Sequence, residues 1–179
     1  MPAVFAARGA HILASDLDLE RATDSGWVAT DQHADSLRAL NDRGLCEQSE
    51  FDRLVEFGEI DMSDFDPLAF GVFDFVWSSC AFEHLGGIDA GLQFVINSVS
   101  CLKPGGLAVH TTEFNVASND STVIDGGTVI YRQRDLELLA DDLRSQGHLV
   151  ELDSNVARRP STITSTFRPT HTTHTSSCT

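Results

Sequence analysis

The chain has 179 residues, of which 41% are hydrophobic, a composition typical of one soluble globular domain. Acidic residues outnumber basic ones by 27 to 12, and the formal net charge of −15 repels the phosphate backbone of nucleic acids. No apolar run in the sequence approaches the roughly 20 residues that a membrane-spanning helix needs. We therefore expect a cytoplasmic protein with neither a nucleic-acid nor a membrane partner.

The first part of the chain alternates predicted helices and strands. In chain order these are a helix (residues 2–8), a strand (11–16), a helix (33–43) and a strand (55–61). Gly9 and Gly44 follow the two helices as C-terminal caps. Both strands end on an acidic residue, Asp16 and Asp61.

The second part continues the alternation. It contains a strand (73–78), a helix with one apolar stripe (88–102), a strand (107–111), a hairpin (122–131), a helix (136–143) and a strand (148–152). Pro104-Gly105-Gly106 ends the first of these helices, and Gly126-Gly127 forms the turn of the hairpin. Such alternation predicts an α/β fold with a mostly parallel sheet and flanking helices.

The composition changes after Asp153, where Ser and Thr begin to dominate. We predict one domain over residues 1–153 and a disordered Ser/Thr-rich tail over residues 154–179. The four cysteines form no C-x-x-C pair and stand at no metal-ligand spacing from a histidine, so we predict reduced thiols and no metal site.

Polar residues end three of the predicted strands, at Asp16, Asp61 and Ser78. In open parallel sheets, ligands bind outside the carboxyl ends of the strands. An ionised carboxylate is a pure acceptor, so an acid at this edge suits the hydroxyls of a ribose. Each such acid alone is also explained as a turn or helix-capping residue.

Four motifs together resemble class I S-adenosylmethionine-dependent methyltransferases. They are Ile12-Leu13-Ala14-Ser15-Asp16, Ile60-Asp61-Met62, the strand and Glu-His loop from Phe73 to Leu85, and Leu102-Lys103-Pro104-Gly105-Gly106-Leu107. The resemblance covers roughly residues 2–153 and implies a Rossmann-like fold with S-adenosylmethionine as cofactor. It also implies that Asp16, Asp61, Met62 and Ser78 contact this cofactor, with Asp61 at the adenine amino group and Met62 along the base.

The glycine-rich loop of such folds is not found. It precedes the ribose acid by about 20 residues, and counting back from Asp16 passes Met1. No G-x-G sequence occurs anywhere in the chain. We therefore expect a chain cut before or within this motif, lacking the central first strand, and we predict no final antiparallel strand after Asp153.

His84 is the candidate general base, with Glu83 beside it, on the loop after the strand at residues 73–78. The alternative is that this pair caps the next helix. His110 and Glu113 could also face a substrate, although a sheet residue and a solvent-facing carboxylate explain them better.

Three functions remain open from the sequence. The first is methyl transfer from S-adenosylmethionine to a small-molecule acceptor. The second is a truncated, non-catalytic relative with weak or no cofactor binding. The third is a nicotinamide-dependent oxidoreductase, against which the Ile60-Asp61-Met62 and Lys103-Pro104-Gly105-Gly106 patterns argue.

Overall fold

The strands form two sheets, which belong to two compact units of the chain, Met1–Phe65 and Asp66–Thr179. The computed structural model describes residues 1–30, 32–34 and 36–152, and the backbone of residues 163–169. Helices alternate with parallel strands in this part, so the predicted α/β class is confirmed. Every helix among the described residues is too short or too polar to cross a lipid bilayer.

The first unit has a two-stranded parallel sheet. Its elements are α1 (Pro2–Ala6), β1 (Ile12–Asp16), α2 (Leu19–Asp24), a 3₁₀ helix (Leu37–Asn41), α3 (Gln48–Leu54) and β2 (Val55–Glu59). Ile12 lies opposite Val55 and Asp16 opposite Glu59, so both strands end at the same edge. Phe51 and Leu54 of α3 are buried and supply apolar side chains to the core of this unit.

The second unit has a four-stranded sheet in the order β3-β4-β6-β5. Its elements are a 3₁₀ helix (Pro67–Ala69), β3 (Phe73–Ser79), a 3₁₀ turn (Phe82–His84), α4 (Ile88–Val99), β4 (Leu102–Thr112), α5 (Gln133–Ser145), β5 (His148–Leu152) and β6 (Ile163–Pro169). β3 and β4 run parallel, while β6 is antiparallel to both β4 and β5. Apolar residues of α4 and α5 cover the core of this unit, among them Val95, Val99, Leu136 and Leu143.

Helix α4 packs closely against Phe82 and Tyr131 in the core of the second unit. Tyr131 is fully buried, and its hydroxyl donates a hydrogen bond to the Phe82 carbonyl at 3.2 Å. Gly91 of α4 lies against both groups, and a Cβ atom at position 91 would overlap the Tyr131 hydroxyl and the Phe82 carbonyl oxygen. Glycine is therefore required at position 91 for space, not for backbone conformation.

The hairpin predicted at residues 122–131 is not a pair of strands. The segment does fold back, since the Ile130 amide donates to the Val123 carbonyl at 3.1 Å. Other backbone groups bond outside the segment: the Ile124 carbonyl accepts from the Ile88 amide, and the Tyr131 amide donates to the carbonyl of Glu113. Because these partners compete with a hairpin ladder, residues 122–131 form an irregular loop instead.

The helix predicted at residues 33–43 is shorter, a 3₁₀ helix at Leu37–Asn41. The buried Asn41 side chain explains the early end, because its amide donates to the Cys46 carbonyl and its oxygen accepts from the Cys46 amide. These two bonds replace the next helical turn with a tight loop, in which Gly44 has a φ of 60°.

Strand β6 was not predicted, since we expected no strand after Asp153. Its backbone pairs Ala108 with Phe167 and Thr112 with Ile163, so it lies between β4 and β5. Residues 153–162 and 170–179 lie outside the described residues, and for them the disordered tail stays a prediction.

We predict that Gly91→Ala destabilises the chain by about 1–3 kcal/mol, the usual cost of overpacking a core. Elsewhere inside a helix the same change stabilises by roughly 0.5–1 kcal/mol, so the sign of the effect is informative. The measurement is urea unfolding. Gly127→Ala is the matched control, because a Cβ there meets no atom within 4 Å, and it should change stability little. A Gly91→Ala protein as stable as the parent would contradict the packing described above.

Candidate functional site

Asp16 is held rigidly at the carboxyl end of β1. One oxygen of its carboxylate accepts a hydrogen bond from the Leu17 amide at 2.8 Å, and the other accepts from the Ala34 amide at 2.9 Å. Each ionised carboxylate has about four acceptor positions, so two remain after these bonds. The backbone thus fixes the orientation of a half-buried acceptor at the edge of the sheet.

Asp61 follows β2 at the same edge of the first unit. One of its oxygens accepts hydrogen bonds from the amide and hydroxyl of Ser63, and the other forms an ion pair with Arg21. Partial burial alone would raise the pKa of the Asp61 carboxyl, but the Ser63 hydrogen bonds and the positive charge of Arg21 outweigh burial and lower this pKa. Asp61 is therefore a charged acceptor at neutral pH.

An open cavity of about 490 Å³ lies beside Asp61 in the first unit. The residues around it are mostly acidic: Asp18, Glu20, Arg21, Asp24, Glu59, Ile60 and Asp61. Met62 is half-buried in the turn that follows Ile60. Nowhere in the described part of the chain do three His, Cys, Asp or Glu side chains come together as metal ligands.

Ser78 belongs to the second unit and is committed to a hydrogen-bond chain. The Ser98 hydroxyl donates to the Val95 carbonyl at 2.7 Å, so its oxygen accepts from Nε2–H of His110 at 3.0 Å. Nδ1 of His110 is then the acceptor for the Ser78 hydroxyl at 2.8 Å. The Ser78 oxygen consequently offers only lone pairs to any further partner.

His110 is a core residue, as the sequence favoured, with 1% of its surface exposed. Phe82 and Phe94 contact its ring edge-on. Burial lowers the pKa of the His110 imidazole from 6.5 to about 4, so the ring is neutral at physiological pH. Glu113 is exposed, in line with a solvent-facing carboxylate.

Glu83 and His84 share the Phe82–His84 turn but have different surroundings. Glu83 is fully buried, and its Oε2 accepts a hydrogen bond from the Thr112 hydroxyl at 3.0 Å. His84 is half-buried, and its Nδ1 lies 3.0 Å from the Gly127 carbonyl and 3.1 Å from the Thr128 hydroxyl. The turn therefore leaves His84, but not Glu83, partly exposed to solvent.

Several residues that bond to the candidate residues or to their neighbours were not predicted from the sequence. They are Arg21 at Asp61, Ser98 at His110, Thr112 at Glu83, and Tyr131 at Phe82. Each partner lies 12 to 49 positions away in the chain, and no short spacing rule connects such residues. Tyr131 alone carried a signal, as the single tyrosine of the sequence.

Parallel strand pairs alternating with helices, and acidic residues at the carboxyl ends of β1 and β2, are typical of a Rossmann-like α/β domain. A family model described as a methyltransferase domain matches residues 4–110. The chain therefore belongs to the methyltransferase-domain family, and its resemblance to class I S-adenosylmethionine-dependent methyltransferases is confirmed. S-adenosylmethionine is the cofactor of this family. No curated protein sequence matches the chain significantly.

Solved structures share the fold at low sequence identity. An O-methyltransferase family protein from Burkholderia thailandensis has 12% identity and a TM-score of 0.58, over 93% of this chain and 53% of that one. The glycopeptide N-methyltransferase MtfA has 12% identity and a TM-score of 0.59, over 93% and 77%. DhpI, solved with S-adenosylhomocysteine, has 19% identity and a TM-score of 0.52, over 94% and 83%. The chain thus spans about half the length of the Burkholderia protein.

We predict that His110 makes the chain less stable as the pH falls from about 6.5 to about 4. In this window the unfolded chain binds a proton at residue 110 that the folded chain, with its pKa of about 4, excludes. The expected loss attributable to His110 is up to about 3 kcal/mol. The measurement is urea unfolding at several pH values, followed by the fluorescence of Trp77 in a Trp27→Phe background.

His110→Gln should flatten this pH dependence even if it lowers stability at neutral pH. The control is His11→Gln, which replaces an exposed histidine of the first unit in the same way. An unaltered slope in His110→Gln would show that His110 titrates normally.

Proposed function

We propose that the chain binds S-adenosylmethionine and takes part in methyl transfer to a hydroxyl or amine of a small-molecule acceptor. The observation that carries the proposal is the pair Asp16 and Asp61, two acceptors that follow neighbouring parallel strands at one edge of the first unit. Membership of the methyltransferase-domain family supports the reaction type. Neighbours of the same fold, such as the glycopeptide N-methyltransferase MtfA, support a small-molecule acceptor.

The residues of the first unit fit the nucleoside part of this cofactor. Its hydrogen-bond donors are the ribose hydroxyls and the adenine amino group, and ionised carboxylates accept from both. We assign Asp16 to the ribose and Asp61 to the amino group, because both carboxylates are held in place and keep unused acceptor positions. Ile60 and Met62 offer apolar surface to the base. The sequence contains no G-x-G loop, so the assignment extends to the nucleoside alone.

The groups proposed for the chemistry belong to the Phe82–His84 turn. When bound, the cofactor provides a methyl group on a positively charged sulfur, and the protein must position the acceptor and remove its proton. We propose His84 as the base. Because a carbonyl oxygen only accepts, the 3.0 Å contact with Gly127 favours a proton on Nδ1, which leaves the lone pair on Nε2. Glu83 supports His84 from the interior, and Ser78 offers its acceptor oxygen to a donor of the cofactor.

The two alternatives from the sequence become outcomes of the binding test. A relative without catalysis would bind S-adenosylhomocysteine weakly or not at all. A nicotinamide-dependent oxidoreductase would instead alter the fluorescence of a reduced nicotinamide cofactor on mixing.

We predict that Asp16→Asn and Asp61→Asn each weaken S-adenosylhomocysteine binding about 10-fold or more. The reason is that a hydrogen bond to a charged group contributes about 1.5–3 kcal/mol. The measurement is isothermal titration of the chain with S-adenosylhomocysteine. The matched control is Asp64→Asn, which removes one negative charge from the exposed turn after Asp61 and should leave the affinity close to that of the parent.

Two results would contradict the assignment. If the parent chain binds S-adenosylhomocysteine and neither Asp variant differs from Asp64→Asn, the nucleoside lies elsewhere. If the parent chain does not bind it at all, the cofactor proposal fails for this chain.

We predict that His84→Asn lowers the rate of S-adenosylhomocysteine formation by about 100-fold or more, since general-base catalysis contributes about 10²–10⁴. Asparagine can still donate to the Gly127 carbonyl, so the turn is kept while the base is lost. The assay mixes S-adenosylmethionine with a panel of small phenols, alcohols and amines. His11→Asn is the control, and affinity for S-adenosylhomocysteine should not change in either variant. A His84→Asn chain with full activity would remove His84 from the chemistry.

A further inference from the structure

We propose that Glu83 is a positioning residue: with Thr112 it holds the Phe82–His84 turn so that the Gly127 carbonyl fixes His84 as the tautomer protonated on Nδ1. The inference rests on the proposed function of His84 as a base, and it assigns Glu83 a role other than proton transfer.

The burial of Glu83 supports a role in the interior. None of its surface is exposed, so its carboxylate cannot touch an acceptor substrate. Its Oε2 accepts from the hydroxyl of Thr112, which is itself only 4% exposed and ends β4. In the described part of the chain, Oε1 has no hydrogen-bond partner. Burying such an oxygen is unfavourable, and an apolar residue here would avoid this penalty.

Hydrogen bonds join the backbone of the Phe82–His84 turn to the loop that contains Gly127 and Thr128. The Glu83 carbonyl accepts from the Val129 amide at 2.9 Å, and the Phe82 carbonyl accepts from the Tyr131 hydroxyl. The two residues before His84 are thus bonded to positions just after Gly127. The Glu83–Thr112 bond ties the same turn to the end of β4.

Among the residues that the structure describes, two groups lie within hydrogen-bond distance of Nδ1 of His84. The Gly127 carbonyl can only accept, which requires a proton on Nδ1. The Thr128 hydroxyl, at 3.1 Å, could instead donate to an unprotonated Nδ1. The group that bonds to Nδ1 determines which nitrogen of the His84 ring is basic. Because hydrogen bonds weaken steeply as their geometry departs from the optimum, a small movement of the turn is enough to change the balance.

Loss of the Thr112 hydroxyl should therefore act on His84 from a distance. Thr112→Val keeps the shape of the side chain but removes the donor to Glu83 Oε2. Thr112→Ser keeps the donor and is the matched control. We expect the valine variant to lose the pure Nδ1–H state of His84, and to lower kcat about 10-fold or more at an unchanged KM for S-adenosylmethionine, because misplaced catalytic groups are costly. The serine variant should restore both.

The test is nitrogen-15 NMR of the histidine side chains in the full chain near pH 8, where an ordinary imidazole is neutral. The expected result is an Nδ1–H signal for His84 in the parent and in Thr112→Ser, and a mixed or Nε2–H state in Thr112→Val. If Thr112→Val does not fold, Thr112→Ala gives the decision, because it also removes the donor to Glu83 and should show the same mixed or Nε2–H state. Thr128→Val removes the competing donor from an exposed position and should leave the Nδ1–H state in place.

The inference is overturned if the parent shows His84 protonated on Nε2. It is also overturned if Thr112→Val folds and leaves the His84 tautomer as it was, or if Thr128→Val abolishes the Nδ1–H state. These signals do not depend on turnover. A chain with the expected tautomers but no methyl transfer would therefore count against the proposed function alone.

Discussion

The contact of Tyr131 with Phe82 and Gly91 determines much of the second unit. Gly91 leaves room for the Tyr131 hydroxyl, and this hydroxyl satisfies the Phe82 carbonyl inside the core. Burial raises the pKa of Tyr131 far above its ordinary value, and the charges of Glu83 and Asp135 add to this effect, so the hydroxyl keeps its proton as a donor. The Phe82–His84 turn and the loop before Tyr131 are fixed by this contact, and His84 takes its position from both.

In the first unit, hydrogen bonds and an ion pair hold the carboxylates of Asp16 and Asp61 in place. Backbone amides at positions 17 and 34 bind both oxygens of Asp16, and Ser63 with Arg21 bind those of Asp61. Charge-assisted bonds of this kind orient a carboxylate before a ligand arrives, which reduces the entropy that binding must overcome. The surrounding acids repel phosphate groups and so favour an adenosine without phosphates.

Local sequence patterns predicted the elements whose partners are near in the chain. The aromatic and β-branched run became β3, the apolar stripe became α4, and residues 148–152 became β5 as predicted. Elements that depend on distant partners were not predicted. Strand β6 pairs with residues of β4 that lie more than 50 positions away in the sequence. The hairpin predicted at residues 122–131 does not form a strand ladder, because its backbone groups bond to Ile88 and Glu113 instead.

The same distinction between local patterns and distant partners applies to the residues of the candidate site. Asp16, Asp61 and Ser78 could be proposed from the sequence because Asp16 and Ser78 lie at the ends of strands with readable patterns and Asp61 follows such a strand. The burial of Glu83 could not, because it depends on Thr112 and Tyr131 lying across the fold, 29 and 48 positions away in the sequence. A charged residue next to a histidine indicates a catalytic pair in sequence, but only the fold shows that one of the two faces the interior.

The carboxyl edge of the first sheet is the site proposed for the adenosine of S-adenosylmethionine. The most direct measurement is an NMR titration of the full chain with S-adenosylhomocysteine, following the backbone amides. Adenosine binding at this edge predicts saturable shifts at Leu17, Ala34 and Met62, whose amides bond to Asp16 or follow Asp61 directly. Saturable shifts confined to other parts of the chain, or no saturable shifts at all, would contradict the account.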